Sequence, residues 1–293
     1  MFIASYSLHD MKLLSVVLSL FALLPASGFR TNQRKPIGAP IGLQLYSLRD
    51  QFKADVPRTL DQVRSFGIKY VELAGTYGVE PQLFSAELRA RGLQAISAHF
   101  SYEQFRDHLD DVIRESKLFE LQYVGCAWIE QPHPLDEKTV REMAAVFNRA
   151  GEVLAKNNLK FFYHTHGYEF GPYENGTLFD LLAAQTNSKY VLFQMDVYWV
   201  VNAEQDPVKL LKRYGNRFVL MHVKDMKQGT PHNLVGESDV ENNVALGQGV
   251  IPWSDVIRAA KDVGVKWYFL EDESSRSVTQ IPQSLRFMET LKL

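Results

Sequence analysis

From Ile41 onward, eight short apolar runs of strand length alternate with eight amphipathic stretches, and this alternation narrows the possible folds sharply. The runs are Ile41–Tyr46, Tyr70–Leu73, Gln94–His99, Tyr123–Ala127, Lys160–His164, Val191–Asp196, Phe218–His222 and Trp267–Glu271. Short apolar runs bounded by polar residues read as strands buried on both faces, as in parallel sheets. Between them, Val56–Phe66, Gln82–Arg91, Tyr102–Leu118, Glu137–Lys156, Leu178–Gln185, Pro207–Tyr214, Ser254–Val263 and Pro282–Leu291 carry helical periodicity. Phe66-Gly67, Arg91-Gly92, Asn157-Asn158 and Val263-Gly264 provide helix stops just before the next strand. The pattern predicts an α/β fold, a (β/α)8 TIM barrel. An open doubly wound sheet would need a Gly-rich phosphate turn after its first strand, and Gln44–Arg49 has none.

The 293 residues, 46% of them hydrophobic, suffice for one large domain, since α/β barrels of roughly 250 residues commonly fold as one unit. A formal net charge of −2 gives no basic footprint for nucleic acid or anionic lipid, which disfavours a nuclease. Residues 1–28 stand apart. Lys12 precedes a largely apolar stretch, Leu13–Leu24, and then Pro25-Ala26-Ser27-Gly28, the layout of a secretory signal peptide. The stretch is short for a bilayer span, so no stable membrane insertion is expected once it is removed. The expected organisation is a signal peptide at 1–28, a linker at 29–40 and the barrel at 41–293, in an exported protein, periplasmic or secreted. Cys126, the single cysteine, has no internal disulfide partner and reads as core packing. The longest irregular stretch, Lys227–Val250, has the length of a functional lid or insertion.

Four of the runs end in side chains suited to a divalent ion: His164, Asp196, His222 and Glu271. Strands lying side by side in a barrel bring their C-terminal ends to one rim, where such barrels carry their active sites. A buried Asp196 is costly unless paired or bound to a cation, the alternative being a helix cap. Lys224 is a candidate for binding a substrate oxygen or acting as an acid. Alternation turns His164 and His166 to the same side and Asp272 away from Glu271. Glu169 is the general-base candidate. Glu72, a charge inside an apolar strand, and His99 join the rim as substrate-binding candidates. Tyr46, Trp128, Tyr198 and Trp253 offer flat apolar surfaces for a sugar ring.

Several segments are familiar in combination. They are Tyr163-His164-Thr165-His166-Gly167-Tyr168-Glu169-Phe170, Met195-Asp196-Val197-Tyr198-Trp199, Leu220-Met221-His222-Val223-Lys224-Asp225-Met226, Gly247-Gln248-Gly249-Val250-Ile251 and Leu270-Glu271-Asp272. With them the chain resembles the xylose isomerase-like TIM barrel superfamily, in particular its sugar phosphate isomerase/epimerase and inosose dehydratase-like branch. The resemblance implies a divalent ion, Mn2+, Mg2+, Zn2+ or Co2+, held by Asp196, His222 and Glu271 with the strand-five group as fourth ligand. That group is His164 here, where the family's epimerases place a Glu. The implied chemistry is proton abstraction beside a carbonyl through an enediolate, with Glu169, Glu271 and Lys224 as catalytic groups. A sugar isomerase or epimerase is the first expectation. A lyase or dehydratase acting on keto sugars or 3-keto glycosides is the second, and a non-catalytic sugar-binding barrel the third. The expected partner is a small sugar or sugar derivative, and a homo-oligomer is compatible with the sequence.

Overall fold

A computed structural model describes residues 39–293. The expected signal peptide and most of the linker lie outside the described residues. Eight parallel strands close into a barrel: β1 (Ile41–Gln44), β2 (Tyr70–Leu73), β3 (Gln94–Phe100), β4 (Tyr123–Cys126), β5 (Lys160–His164), β6 (Val191–Asp196), β7 (Phe218–Val223) and β8 (Trp267–Leu270). Each strand pairs with its neighbours in sequence, and β8 returns to β1 in the register Ile41–Tyr268, Gly42–Phe269, Leu43–Leu270. The (β/α)8 TIM barrel expected from the sequence is the architecture observed.

The connecting helices begin where local chemistry tells them to. Asp55, Asp136, Thr177 and Asp206 accept backbone N–H groups at the N-caps of Val56–Ser65, Glu137–Lys156, Leu178–Gln185 and Pro207–Tyr214. Several boundaries differ from expectation. The stretch Tyr102–Leu118 breaks at His108 into Tyr102–Asp107, opened by a Ser101/Gln104 capping box, and Leu109–Leu118. Pro282 lies inside the helix Ser277–Thr290 rather than opening it. Short helices at Arg49–Ala54 and Val197–Asn202 were not foreseen. No helix among the described residues is long and apolar enough to cross a membrane.

The barrel lumen is layered because strand side chains alternate in direction. Ile96, Tyr123, Phe162, Leu220 and Phe269 form a compact apolar cluster, with Tyr70, Leu192 and Trp267 against it. Gly125 is required here, since a Cβ would lie 2.2 Å from the Phe162 ring. Two and four residues further along, at or just past each strand's end, the same face turns polar: Phe162 leads to His164, Leu192 to Gln194 and Asp196, Leu220 to His222 and Lys224, Phe269 to Glu271. An apolar plug thus supports a polar layer at the C-terminal rim. A second, larger cluster fills the space between the strands and the helices.

Candidate metal centre and active site

The polar layer is tied together by a buried carboxylate. Glu72 is fully buried on β2 and accepts from Gln44 Nε2 (2.9 Å), Ser97 Oγ (2.6 Å), Gln194 Nε2 (2.8 Å) and His222 Nε2. Burial opposes its ionisation, but His99 and His222 outweigh burial and hold its pKa at about 2. Reciprocally, burial works against a proton on His222 while Glu72 and Glu271 push its pKa up to about 10. Gln194 Oε1 lies 2.7 Å from His164 Nδ1 and 3.0 Å from His99 Nε2. Burial, with His222 and His166 nearby, lowers the pKa of His164 well below the usual imidazole range.

Above this layer, Asp196, His222 and Glu271 bring one donor atom each within 4.8 Å of one another, and His164 lies beside Asp196. Asp196 Oδ2 stands 3.8 Å from His164 Nε2 and 3.9 Å from His222 Nδ1, and His222 Nδ1 stands 3.1 Å from Glu271 Oε2. Ligand atoms bonded to one ion at about 2.0–2.1 Å are separated by no more than about 4.2 Å, so these spacings are compatible with a shared cation. Asp196 Oδ2 is buried and has no hydrogen-bond partner. Burial raises the Asp196 pKa, the mark of a carboxylate short of a counter-charge. The donor set, two imidazole nitrogens and two carboxylates, fits a divalent ion of the zinc, cobalt or manganese type. A rival grouping of His99, His164 and His222 also brings donor atoms close together. There, however, His99 Nε2 and His164 Nδ1 face Gln194 Oε1, and His222 Nε2 faces Glu72.

Over the candidate centre lies a cavity of about 670 Å3, a usual size for a small-molecule site. His99, His164, His166, His222, Lys224 and Glu271 line it, with Tyr46, Trp128, Tyr198 and Trp199 among its walls. Lys224 is buried and pairs with Glu273 and with Glu271 Oε2 at 3.5 Å. Burial disfavours its charge, but Glu273, Glu271 and Asp196 outweigh that and raise its pKa, so it stays an ammonium. Burial also raises Glu271, but Lys224 and His222 outweigh it and hold Glu271 ionised. His166 is pushed down to about 3 by burial and Lys224, hence neutral. The stretch 227–250 closes part of the wall. Asp225–Met226, just before it, pairs with Asn243–Val244 within it, and Gly236, Glu237 and Ser238 face the cavity. Gly236 has φ +76°, and a Cβ there would come within 2.8 Å of Tyr168.

Three expected positions need correction. Glu72 lies in the layer beneath the cavity, with its oxygens taken by four donors, and does not reach substrate. Glu169 is not on the cavity wall. Gly167, at φ +96°, turns the chain after His166 into the 3-10 turn Tyr168–Phe170, and the Glu169 carboxyl folds back onto the His166 N–H at 2.9 Å. Burial, opposed by the loop amides, pushes its pKa up to about 8. Trp253 is buried on its own helix and donates its indole N–H to Asp225 Oδ2 at 2.9 Å, away from the cavity. Tyr198 does line the cavity, but the Lys224 ammonium sits 5.3 Å from its ring centre and its hydroxyl donates to Ser238 Oγ. Sequence reasoning missed Gln44, Ser97 and Gln194. Counting back two residues from Tyr46, His99 and Asp196 would have placed them in the lumen.

The family model of the xylose isomerase-like TIM barrel matches residues 60–291. The chain belongs to this family. An inosose dehydratase of Clostridium botulinum (strain Eklund 17B / Type B) is 26% identical over 219 residues, covering 67% of this chain and 72% of that protein. A sugar phosphate isomerase/epimerase from Parabacteroides distasonis ATCC 8503 superposes with a TM-score of 0.71 at 22% identity, covering 86% of this chain and 98% of that one. The IOLI protein, crystallised with a bound zinc atom, superposes with a TM-score of 0.66 at 11% identity, covering 85% and 95%. These two superpositions speak to the barrel fold that the family shares.

Proposed function

We propose that this member of the xylose isomerase-like family is a divalent-metal-dependent enzyme acting on a sugar or sugar derivative. It removes a proton from the carbon beside a carbonyl and completes the reaction by elimination, as a lyase or dehydratase. The observation that carries the metal dependence is the buried, unpartnered Asp196 Oδ2 facing His164 Nε2 and His222 Nδ1. Two imidazoles in the donor set favour Zn2+, Co2+ or Mn2+ over Mg2+. When bound, such an ion polarises a carbonyl and offsets the negative charge that develops on its oxygen.

The chain's own groups account for the remaining steps. Glu271, ionised, accepts the proton as the C–H bond breaks and electrons move toward the carbonyl oxygen. The electron pair returns as the β C–O bond breaks, and the Lys224 ammonium donates a proton to the departing oxygen. His166 lines the cavity where a substrate hydroxyl would sit, whereas both His99 nitrogens are held by Gln194, Glu72 and Gln44; Trp128 offers a partly exposed ring face to an apolar flank. Epimerisation in this family's manner needs carboxylates on both faces of the carbon. Here β5 ends in His164 and Glu169 is turned away, which supports elimination. A single base suffices to move a proton between neighbouring carbons on one face, so Glu271 also supports isomerisation as the second reading. An exported location, read from Lys12 and the Leu13–Leu24 stretch, belongs to the same proposal and points to unphosphorylated substrates.

Metal-loaded protein incubated in deuterated water with keto sugars and 3-keto glycosides tests this reading. Release of an aglycone or of water is expected, and Glu271→Gln should slow turnover by about 100-fold or more. Deuterium appearing in a rearranged sugar would favour the isomerase instead. If no sugar turns over, and Asp196→Ala and His222→Ala keep full sugar affinity, the protein is a binding barrel and the proposal is wrong.

A further inference from the structure

Beneath the candidate centre the hydrogen-bond directions form a closed account, because it is anchored on a group that only accepts. The Glu72 carboxylate receives Gln44 Nε2, Ser97 Oγ, Gln194 Nε2 and His222 Nε2, and an ionised carboxylate has no proton to give. His222 therefore carries a proton on Nε2. Gln194 must turn its amide nitrogen toward Glu72, which leaves Oε1 pointing the other way. That carbonyl oxygen lies 2.7 Å from His164 Nδ1 and 3.0 Å from His99 Nε2, and it too only accepts. Both of those ring nitrogens are N–H donors.

His99 provides an internal check. Its Nε2 also lies 3.3 Å from Glu72 Oε1, a second acceptor, and its Nδ1 lies 3.4 Å from Gln44 Nε2, a donor. Every contact agrees with the same tautomer. For His164 the consequence is sharper. With Nδ1 protonated, a second proton on Nε2 would have no acceptor in hydrogen-bond range, Asp196 Oδ2 being 3.8 Å away. The ring is neutral, and Nε2 offers a bare lone pair toward Asp196.

We propose that Gln194 and Glu72 are positioning residues that lock His164 as the Nδ1–H tautomer and turn His222 Nε2 to the carboxylate. His164 Nε2 is thereby presented to a shared cation with its lone pair free, and His222 Nδ1 faces the same cation, giving up its proton as the ion binds. What those nitrogens bind rests on the metal-centre reading above; which nitrogens they are does not. The lock also explains why this chain accommodates His at the end of β5. A carboxylate there accepts with either oxygen and needs no tautomer control, whereas an imidazole in the wrong tautomer presents an N–H. Gln194 is the partner that His164 requires.

A double-mutant cycle with Zn2+ as the probe, together with imidazole 1H–15N spectra of the full chain at pH 7.5, decides the matter. In ion-free wild type, the His164 ring, assigned through His164→Asn, should carry its proton on Nδ1. Gln194→Met should mix the tautomers and weaken Zn2+ binding by about 10- to 100-fold. In a His164→Glu background the same Gln194→Met change should leave Zn2+ affinity nearly unaltered, because a carboxylate needs no lock. An equal loss in both backgrounds marks Gln194 as merely structural and overturns the proposal. So does a wild-type His164 protonated on Nε2, a result that needs only the His164→Asn assignment variant to fold. If wild type shows the Nδ1–H tautomer yet takes up no Zn2+, the metal-centre reading fails and the tautomer lock stands.

Discussion

Asp196 uses its two oxygens differently. Oδ1 accepts from the N–H groups of Tyr198 (2.9 Å) and Trp199 (3.3 Å) and caps the helix Val197–Asn202, while Oδ2 has no protein partner. The sequence left cap and ligand as alternatives, and the structure is compatible with both at once. Asp196→Asn keeps a capping oxygen but loses the charge. It should abolish metal retention, measured by elemental analysis, while its stability in chelator stays within about 1 kcal/mol of wild type. Asp196→Ala loses the cap as well and should cost about 1 kcal/mol more. Glu169 gives a prediction in pH. Its folded pKa of about 8 lies above the ordinary 4.5, so between about pH 5 and 8 the native state keeps a proton that the unfolded chain has already released. Its contribution to stability is therefore present at low pH and lost as pH rises, at up to about 1.4 kcal/mol per pH unit. Urea unfolding of Glu169→Gln, fixed neutral, should show a shallower decline through that window. Identical pH profiles for the two proteins would refute the assignment.

At the scale of elements, the strands were legible because a buried parallel strand writes itself as an apolar run. Their lumen faces follow from a period of two. Helix ends were legible where a cap or Gly stop is local, and less so at His108, where the helix breaks, and at Pro282, which lies inside its helix. The segment after β7 shows what a motif alone conceals. Gly247-Gln248-Gly249 wraps the Asp225 carboxylate, which accepts from the N–H groups of Met226, Gly247, Gly249 and Ile251 and from the Trp253 indole. A Cβ on Gly249 would lie 2.2 Å from Asp225 Oδ1 and 2.3 Å from the Met226 carbonyl. Asp225 thus fastens the returning end of the cavity wall to the strand that carries His222 and Lys224. Asp225→Ala leaves five donors without their acceptor and should cost about 3 kcal/mol or more. Gly249→Ala should destabilise as well. Both are read from urea midpoints, and unchanged midpoints would show that the latch is dispensable.

On the scale of the whole molecule, a cation bridging β5, β6, β7 and the end of β8 would tie together one side of the barrel. Binding to the native state alone stabilises by about 4 kcal/mol at a thousandfold excess over Kd. For a domain of this size that corresponds to roughly 8–16 °C in Tm. Stripping the protein with a chelator should lower Tm by that order, and added Zn2+ or Mn2+ should restore it. A Tm indifferent to both treatments would count against the centre.

The sequence by itself determined the barrel, the rim at which function gathers, and which residues of each strand face the lumen. Those properties are local: apolar run length and backbone period fix them before any distant contact forms. Only the closed tertiary structure decided the partnerships. Gln44, Glu72, Ser97, Gln194, His222 and Glu271 come from six different strands or strand ends and meet because the sheet closes on itself. Glu169 was misplaced because a left-handed Gly167 breaks the strand period two residues earlier, and Trp253 because its indole had a buried acceptor in Asp225. Which nitrogen of His164 is bare follows from where the Gln194 amide points, and that is set across the lumen by a carboxylate 122 positions away in the chain.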